Sequence, residues 1–220
     1  MKKKFLSIAC CATLLSITSI AYSATGPYVS GNLGIAMASD SDWSNPALDS
    51  ILPGTRMTLK SDSGLAFSGA IGGGLSNNVR LEAEVAYQKN DLDRANVSIP
   101  RVGSATVGMG GDTSSTALLV NGYFDFVNSS AFTPFIGAGL GFANVGVSPS
   151  FTYSGYGTTS GSADETVFAY QLGAGVNYAI NEKISFDVKY RYFRTSDPEF
   201  NTTTIEYSSH NIYAGIRVGF

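Results

Sequence analysis

The last ten residues of the chain, Asn211-Ile212-Tyr213-Ala214-Gly215-Ile216-Arg217-Val218-Gly219-Phe220, alternate without a break. Ile212, Ala214, Ile216, Val218 and Phe220 fall on one face, and Tyr213, Gly215, Arg217 and Gly219 on the other. A period of two belongs to a β-strand whose two faces meet different surroundings. Seven more segments read the same way: Tyr28–Met37, Leu65–Leu75, Val79–Gln88, Ala117–Phe126, Phe135–Asn144, Val167–Tyr178 and Ile184–Phe193. In the third of them Val79, Leu81, Ala83, Val85 and Tyr87 oppose Arg80, Glu82, Glu84, Ala86 and Gln88. In the seventh, Ile184, Phe186, Val188, Tyr190 and Tyr192 oppose Asp187, Lys189 and Arg191.

Period-two strands suit a soluble sandwich, a lipocalin-like barrel or a membrane barrel. In the first two the apolar face points inward. Two features favour the inverted arrangement. Aromatic residues gather at both ends of the strands, with Tyr87, Phe168, Tyr170, Tyr190 and Tyr192 near the long connections and Phe124, Phe126, Tyr178, Phe186 and Phe220 near the short ones. Two such girdles belong at the two bilayer interfaces. The opposite face carries charges of both signs, as a closed polar lumen requires. Each segment has the roughly ten residues that a tilted strand needs to cross a bilayer. The connections alternate in length: 76–78, 127–134 and 179–183 are short, while 38–64, 89–116, 145–166 and 194–206 are long, the asymmetry of outer-membrane barrels. The expected fold is all-β: an eight-stranded antiparallel transmembrane up-and-down β-barrel, closed so that no backbone edge is left unpaired in lipid.

The start of the chain predicts export. Lys2, Lys3 and Lys4 precede an apolar run from Phe5 to Ile20, and the small residues around Ser23 and Ala24 offer a cleavage site. Residues 1–24 are therefore expected to form a signal peptide and residues 25–220 the barrel domain. Cys10 and Cys11 both lie in the leader, so the mature chain carries no disulfide. Losing three lysines leaves 11 Lys+Arg against 17 Asp+Glu, a net charge of −6, which argues against nucleic-acid binding. The uncharged stretch from Phe126 to Ala163 is interrupted by Pro134 and by Gly137, Gly139 and Gly141, poor residues for a membrane helix.

Three groups of residues resemble a known family. Tyr28-Val29-Ser30-Gly31-Asn32-Leu33-Gly34 resembles the first strand of the opacity-protein and rickettsial-type surface-antigen barrels, a porin-like outer-membrane superfamily. Asn121 to Phe126 followed by Thr133 to Gly141 resembles their central hairpin, and Asp187 to Tyr192 their seventh strand. The closing strand resembles those of outer-membrane barrels, which implies that Phe220 is the assembly signal. The resemblance implies residence in the outer membrane of a Gram-negative cell. The implied partners are membrane lipids and lipopolysaccharide, periplasmic chaperones, the barrel-assembly machinery, and a host or environmental ligand at the loops.

The candidate site residues are the inward charges Arg80, Glu82, Glu84, Asp125, Asp187, Lys189, Arg191 and Arg217. They are expected to form an ion-pair network filling the lumen, since eight strands are just wide enough for their side chains and unpaired buried charges are costly. Inward glycines (Gly72, Gly74, Gly137, Gly139, Gly141) are expected to give room to large side chains on the opposite wall; a dinucleotide fingerprint would need a following helix. His210 stands near Ser208 and Ser209 at the outer end of the last strand. Some lipid A deacylases use His, Ser and an acid at such a height, but the order Ser before His departs from their pattern and no acid can be assigned. Trp43 with Asp40, Asp42 and Asp49 reads as a solvated acidic loop. No catalytic residue, cofactor or metal site is expected. The functional reading is a structural or adhesive surface antigen, with a small porin-like channel as the alternative and a lipid-modifying enzyme as a lesser one.

Overall fold

A computed structural model of the chain describes residues 26–44, 50–108, 110–153, 157–200 and 203–220. The expected signal peptide, with Ser23 and Ala24, lies outside the described residues, as does Asp49. The strands are β1 (Pro27–Ala38), β2 (Ser41–Ser44), β3 (Arg56–Ser61), β4 (Gly64–Gly74), β5 (Val79–Ile99), β6 (Gly103–Gly108) and β7 (Gly110–Asp125), followed by β8 (Phe132–Tyr153), β9 (Gly157–Ser160), β10 (Ala163–Ala179), β11 (Ile184–Thr195), β12 (Glu199–Phe200), β13 (Thr203–Ile205) and β14 (Ser208–Gly219). Eight of them form a ring in the order β1-β4-β5-β7-β8-β10-β11-β14, all antiparallel. The ring closes between β1 and β14, from Tyr28 opposite Gly219 to Ala38 opposite Ser209. The Phe220 amide donates to the Pro27 carbonyl at 3.1 Å, just beyond that seam.

The outside of the ring is apolar. Val29, Leu33, Ile35, Leu65, Phe67, Ile71, Val85, Leu118, Val120, Leu140, Leu172, Val188, Ile212 and Ile216 all point away from the lumen and are exposed. A patch of this size has no place on a soluble monomer; it is the lipid-facing band. Aromatic contacts frame it at both ends. Phe67 stacks on Tyr87 and Phe142 meets Phe168 at the outer end, while Phe124 meets Phe126 and Phe132 meets Tyr178 at the short-turn end.

The long connections differ from expectation. They are largely β-structure: β5, β7, β8 and β10 run well past the segments read from the sequence, and six further strands lie in the connections. The physical reason is an inversion of faces. On β8 the outward residues Ile136, Ala138, Leu140 and Phe142 give way to Asn144, Gly146 and Ser148, while the inward glycines give way to buried Ala143, Val145 and Val147. On β7, outward Leu118 is followed toward the outer end by Thr116 and Ser114, and inward Asn121 by Leu119 and Ala117. Below the inversion the strands face lipid around a polar lumen; above it they face water around a core that is apolar on β7, β8, β10 and β11 and includes buried Gln88, Asn90, Ser115 and Ser209. The added strands complete a collar. β3 pairs with the outer part of β5, β2 with β3, β13 with β2 and β12 with β13, while β6 and β9 extend the β5 and β8 hairpins.

Candidate functional site: the lumen and the collar

Strand parity brings the eight inward charges into the lumen, where they sort into tiers. Nearest the short turns, Arg80 on β5 donates through Nε to both carboxylate oxygens of Asp125 at 3.0 Å. Its Nη1 donates to Glu82 at 2.6 Å and to the Tyr28 hydroxyl at 3.1 Å, and that hydroxyl donates to Glu82 at 2.6 Å. The Arg80 guanidinium lies over the Tyr123 ring at 4.0 Å and over Phe135 at 4.8 Å. In the same tier Arg217 donates to Asp187 at 3.1 and 3.2 Å and covers the Tyr28 ring at 4.7 Å.

The middle tier is built on Glu84, which is fully buried. Arg191 Nη1 donates to it at 3.0 Å. β5 and β11 lie on opposite sides of the eight-strand ring, so this pair spans the barrel axis. Asn121 donates to the same carboxylate at 2.7 Å, and Gln171 donates to Asn121 at 2.7 Å. Arg191 also donates to the Tyr213 hydroxyl and lies 4.7 Å from that ring's centre. Lys189 faces the same ring at 5.4 Å. The network holds four cations (Arg80, Lys189, Arg191, Arg217) and four carboxylates (Glu82, Glu84, Asp125, Asp187), so it is neutral as a whole.

The outer tier is apolar on the β7, β8, β10 and β11 side and polar opposite, where Gln88 donates to the Tyr207 hydroxyl at 2.7 Å and to Ser209 at 2.9 Å. Leu119, Ala143, Val145, Val167, Ala169, Phe193 and Tyr207 form the buried apolar cluster. Sequence reasoning missed this tier. Its signal was present in the continued inward parity of Ala143, Val145 and Val147. The polar partners Tyr28, Gln171 and Tyr213 were not singled out either, although each falls on an inward position. Free space is uneven. A vestibule of about 320 Å³ opens at the short-turn end beside Asn77, Arg80, Asp125, Asn177 and Arg217. Farther in, the two gaps beside Tyr123, Phe135 and Lys189 hold about 10 Å³ each, room for a single water at most.

The inward glycines act differently from expectation. Gly72, Gly137 and Gly139 receive side chains from the neighbouring strands rather than from the opposite wall, and Gly141 lies against the backbone of Leu118. A Cβ on Gly139 would lie 1.9 Å from Asn121 Oδ1, and one on Gly72 2.7 Å from Glu82 Cγ and 2.8 Å from the Tyr28 ring. The cause is register: Asn121 stands directly opposite Gly139, and Glu82 directly opposite Gly72.

The remaining candidates do not converge. His210 lies outside the wall with its Nδ1 2.6 Å from the Tyr190 hydroxyl, in the outer aromatic girdle. Ser209 lies inside the wall, hydrogen-bonded to Gln88 at 2.9 Å, and Ser208 shares the outward face without contacting the imidazole's bonded nitrogen. Asp40 pairs with Lys60 at 3.0 Å and Asp42 accepts from Thr58 at 3.1 Å. Trp43 stands in β2 between Met57 and Ile205. Among the described residues no group of three or more His, Cys, Asp or Glu side chains converges.

Residues 7–220 match the family described as outer membrane protein beta-barrel domain. The chain is 26% identical over 223 residues to outer membrane protein PagN of Salmonella typhimurium, covering 96% of this chain and 92% of that protein. It is 27% identical over 237 residues to a Rickettsia bellii protein named "Putative adhesin", covering 99% of both. Among solved structures, Neisserial surface protein A superposes with a TM-score of 0.57 at 20% identity, covering 90% of this chain and 99% of that one, a likeness of fold.

Proposed function

The chain belongs to the outer membrane protein β-barrel domain family and resides in the outer membrane; on that premise we propose that it is a non-enzymatic surface barrel whose collar makes attachments outside the cell. The observation that carries this reading is how the polar groups are spent. Inside the barrel the arginines and carboxylates are paired with one another, Lys189 lies over the Tyr213 ring, and a buried apolar cluster packs above them on the outer side. The surface left to meet the exterior is the collar. Two relatives that cover nearly all of the chain support this reading, one an outer membrane protein and the other bearing an adhesin's name. In this reading residues 1–24 direct export, periplasmic chaperones and the barrel-assembly machinery insert the chain, and Phe220 serves as the assembly signal. Lipopolysaccharide surrounds the outer girdle.

The test is gain of attachment. The full chain, displayed on a non-adherent Gram-negative host, should raise binding to epithelial monolayers. A variant with residues 96–106 replaced by a short Asn-Gly turn should lose that gain while keeping the barrel folded. Equal binding by cells with and without the displayed protein would overturn the reading.

A further inference from the structure

Among the described residues the collar has an open edge at β6. β7 and β8 pair outward as far as Gly110 opposite Ser150. Beyond that height β8 turns to β9, and β6 runs with β5. Among the described residues β6 pairs with β5 alone. Just inside the parting stands Gly111, opposite Pro149, whose φ of +112° and 2.0 Å approach of a would-be Cβ to the Ser148 carbonyl leave room only for glycine. Gly103, Ser104, Ala105, Thr106 and Gly108 are exposed, and open space surrounds the Cβ positions of Gly103 and Gly108. Exposed edges are normally blunted by lysine, proline or a covering segment. The sequence Gly103-Ser104-Ala105-Thr106-Val107-Gly108 carries neither lysine nor proline. Its Ser104 and Thr106 hydroxyls bond Ser98 and Asn96 of β5 across the pairing.

We propose that this edge pairs with the same edge of a second copy of this chain on a facing membrane, joining cell to cell. The symmetry argues for facing membranes. β5 rises from the short-turn end and β6 descends beside it. Two copies in one membrane are related by a two-fold axis along the membrane normal, which sets the β6 strands in the same sense. Two copies in facing membranes are related by an axis parallel to the membranes, which sets them antiparallel, the sense that is more stable per residue.

The charges are self-complementary in that arrangement. The tip of the β5–β6 hairpin carries Arg101, with Arg56 opposite Ser98 two strands in. The foot of the fork carries Asp91 opposite Asp112, with Asp62 bonded through its amide to the Asp91 carbonyl; Lys89 pairs with Asp112 at 3.2 Å, so three carboxylates face one cation and the foot stays net negative. Antiparallel pairing centred between Ala105 and Thr106 carries each Arg101 tip to the partner's 110–112 foot. One such contact is weak, because exposed ion pairs contribute little; many contacts between two cell surfaces act together.

The inference rests on surface display, which the attachment reading shares, and the test separates them. Purified full-length protein is placed in phosphatidylcholine vesicles, with folding checked by heat-dependent gel migration. Wild-type vesicles are expected to aggregate, read by light scattering. Vesicles carrying Arg101→Glu, and vesicles carrying Asp91→Lys with Asp112→Lys, should each aggregate about tenfold more slowly, and a mixture of the two should regain the wild-type rate. Dispersed wild-type vesicles, unaffected variants, or a mixture that stays dispersed would each overturn the proposal. Aggregating vesicles with no gain in epithelial binding would uphold this pairing and reject the attachment reading; dispersed vesicles with intact epithelial binding would do the reverse.

Discussion

Among the described residues the Glu84–Arg191 pair is the one ion pair that ties opposite walls of the barrel, and its removal gives the sharpest test of the lumen. Glu84 accepts from Arg191 at 3.0 Å and from Asn121 at 2.7 Å, with both charged side chains almost wholly buried. Removing one partner of such a pair strands the other charge, at a cost of about 3–5 kcal/mol. Glu84→Ala should reach the upper end of that range, because it also takes the acceptor from Asn121 and Gln171. Arg191→Met should lie at the lower end, since Lys189 still acts on Glu84 and Asn121 still donates to it. The double replacement Glu84→Met with Arg191→Met removes both charges and fills the volume, so it should cost less than either single change, about 2 kcal/mol or under. The assay is urea unfolding of the protein in lipid vesicles, with the folded fraction read from gel mobility. Single costs that add in the double variant would show that the two side chains are energetically independent, and the cross-barrel tie would be refuted.

Four further outcomes follow from the same geometry. Val188→Arg on the lipid face should cost about 2–4 kcal/mol in the same assay, and Lys189→Gln beside it should cost less; the reverse order would mean that the faces are inverted. Gly139→Val should destabilise the barrel unless paired with Asn121→Gly, because the new side chain meets Asn121; equal stability of the two variants would refute the register. Purified monomers in planar bilayers should show small or intermittent conductance, whereas steady nanosiemens conductance would favour a porin-like channel. Burial in the collar pushes the Tyr207 phenol up to about 12. The proton is held more tightly in the folded state than in the unfolded one, so this contribution is intact below pH 10 and is lost as the pH rises from 10 through 12. Tyr207→Phe should flatten that decline in folded fraction.

The sequence made the eight wall strands legible because lipid on one side and charge on the other enforce period two. The outer ends of those strands were hidden for a related reason. Past Phe142 the alternation persists but its polarity swaps, so Asn144 and Ser148 look like the start of a loop when scored against a lipid face. The charged residues of the lumen were legible as a set, while their partners were not. Glu82 and Glu84 stand on the same inward face, yet Glu82 bonds Arg80 on its own strand and Tyr28 on β1, and only Glu84 reaches across to Arg191. That choice depends on strand tilt and height, which parity does not encode. The glycines were read as lumen room, but their neighbours occupy it, since register rather than composition decides which side chain fills the gap.

The two tiers also separate the wall of the barrel from its exterior energetically. Phe193 belongs to the outer apolar cluster and lies beside Arg191 at 5.4 Å, so the collar core rests directly on the charged network. Stability is therefore stored along β7, β8, β10 and β11, whose inward residues serve both tiers. The hairpin tips contribute to neither: Ile51, Arg101 and Val102 are exposed, and no charge of the lumen network bonds to them. Substitution at a tip then leaves the wall unstrained, while substitution at Leu119 or Phe193 opens a cavity worth about 3–5 kcal/mol. A barrel organised this way can change what its collar contacts without altering the part that must survive in the membrane.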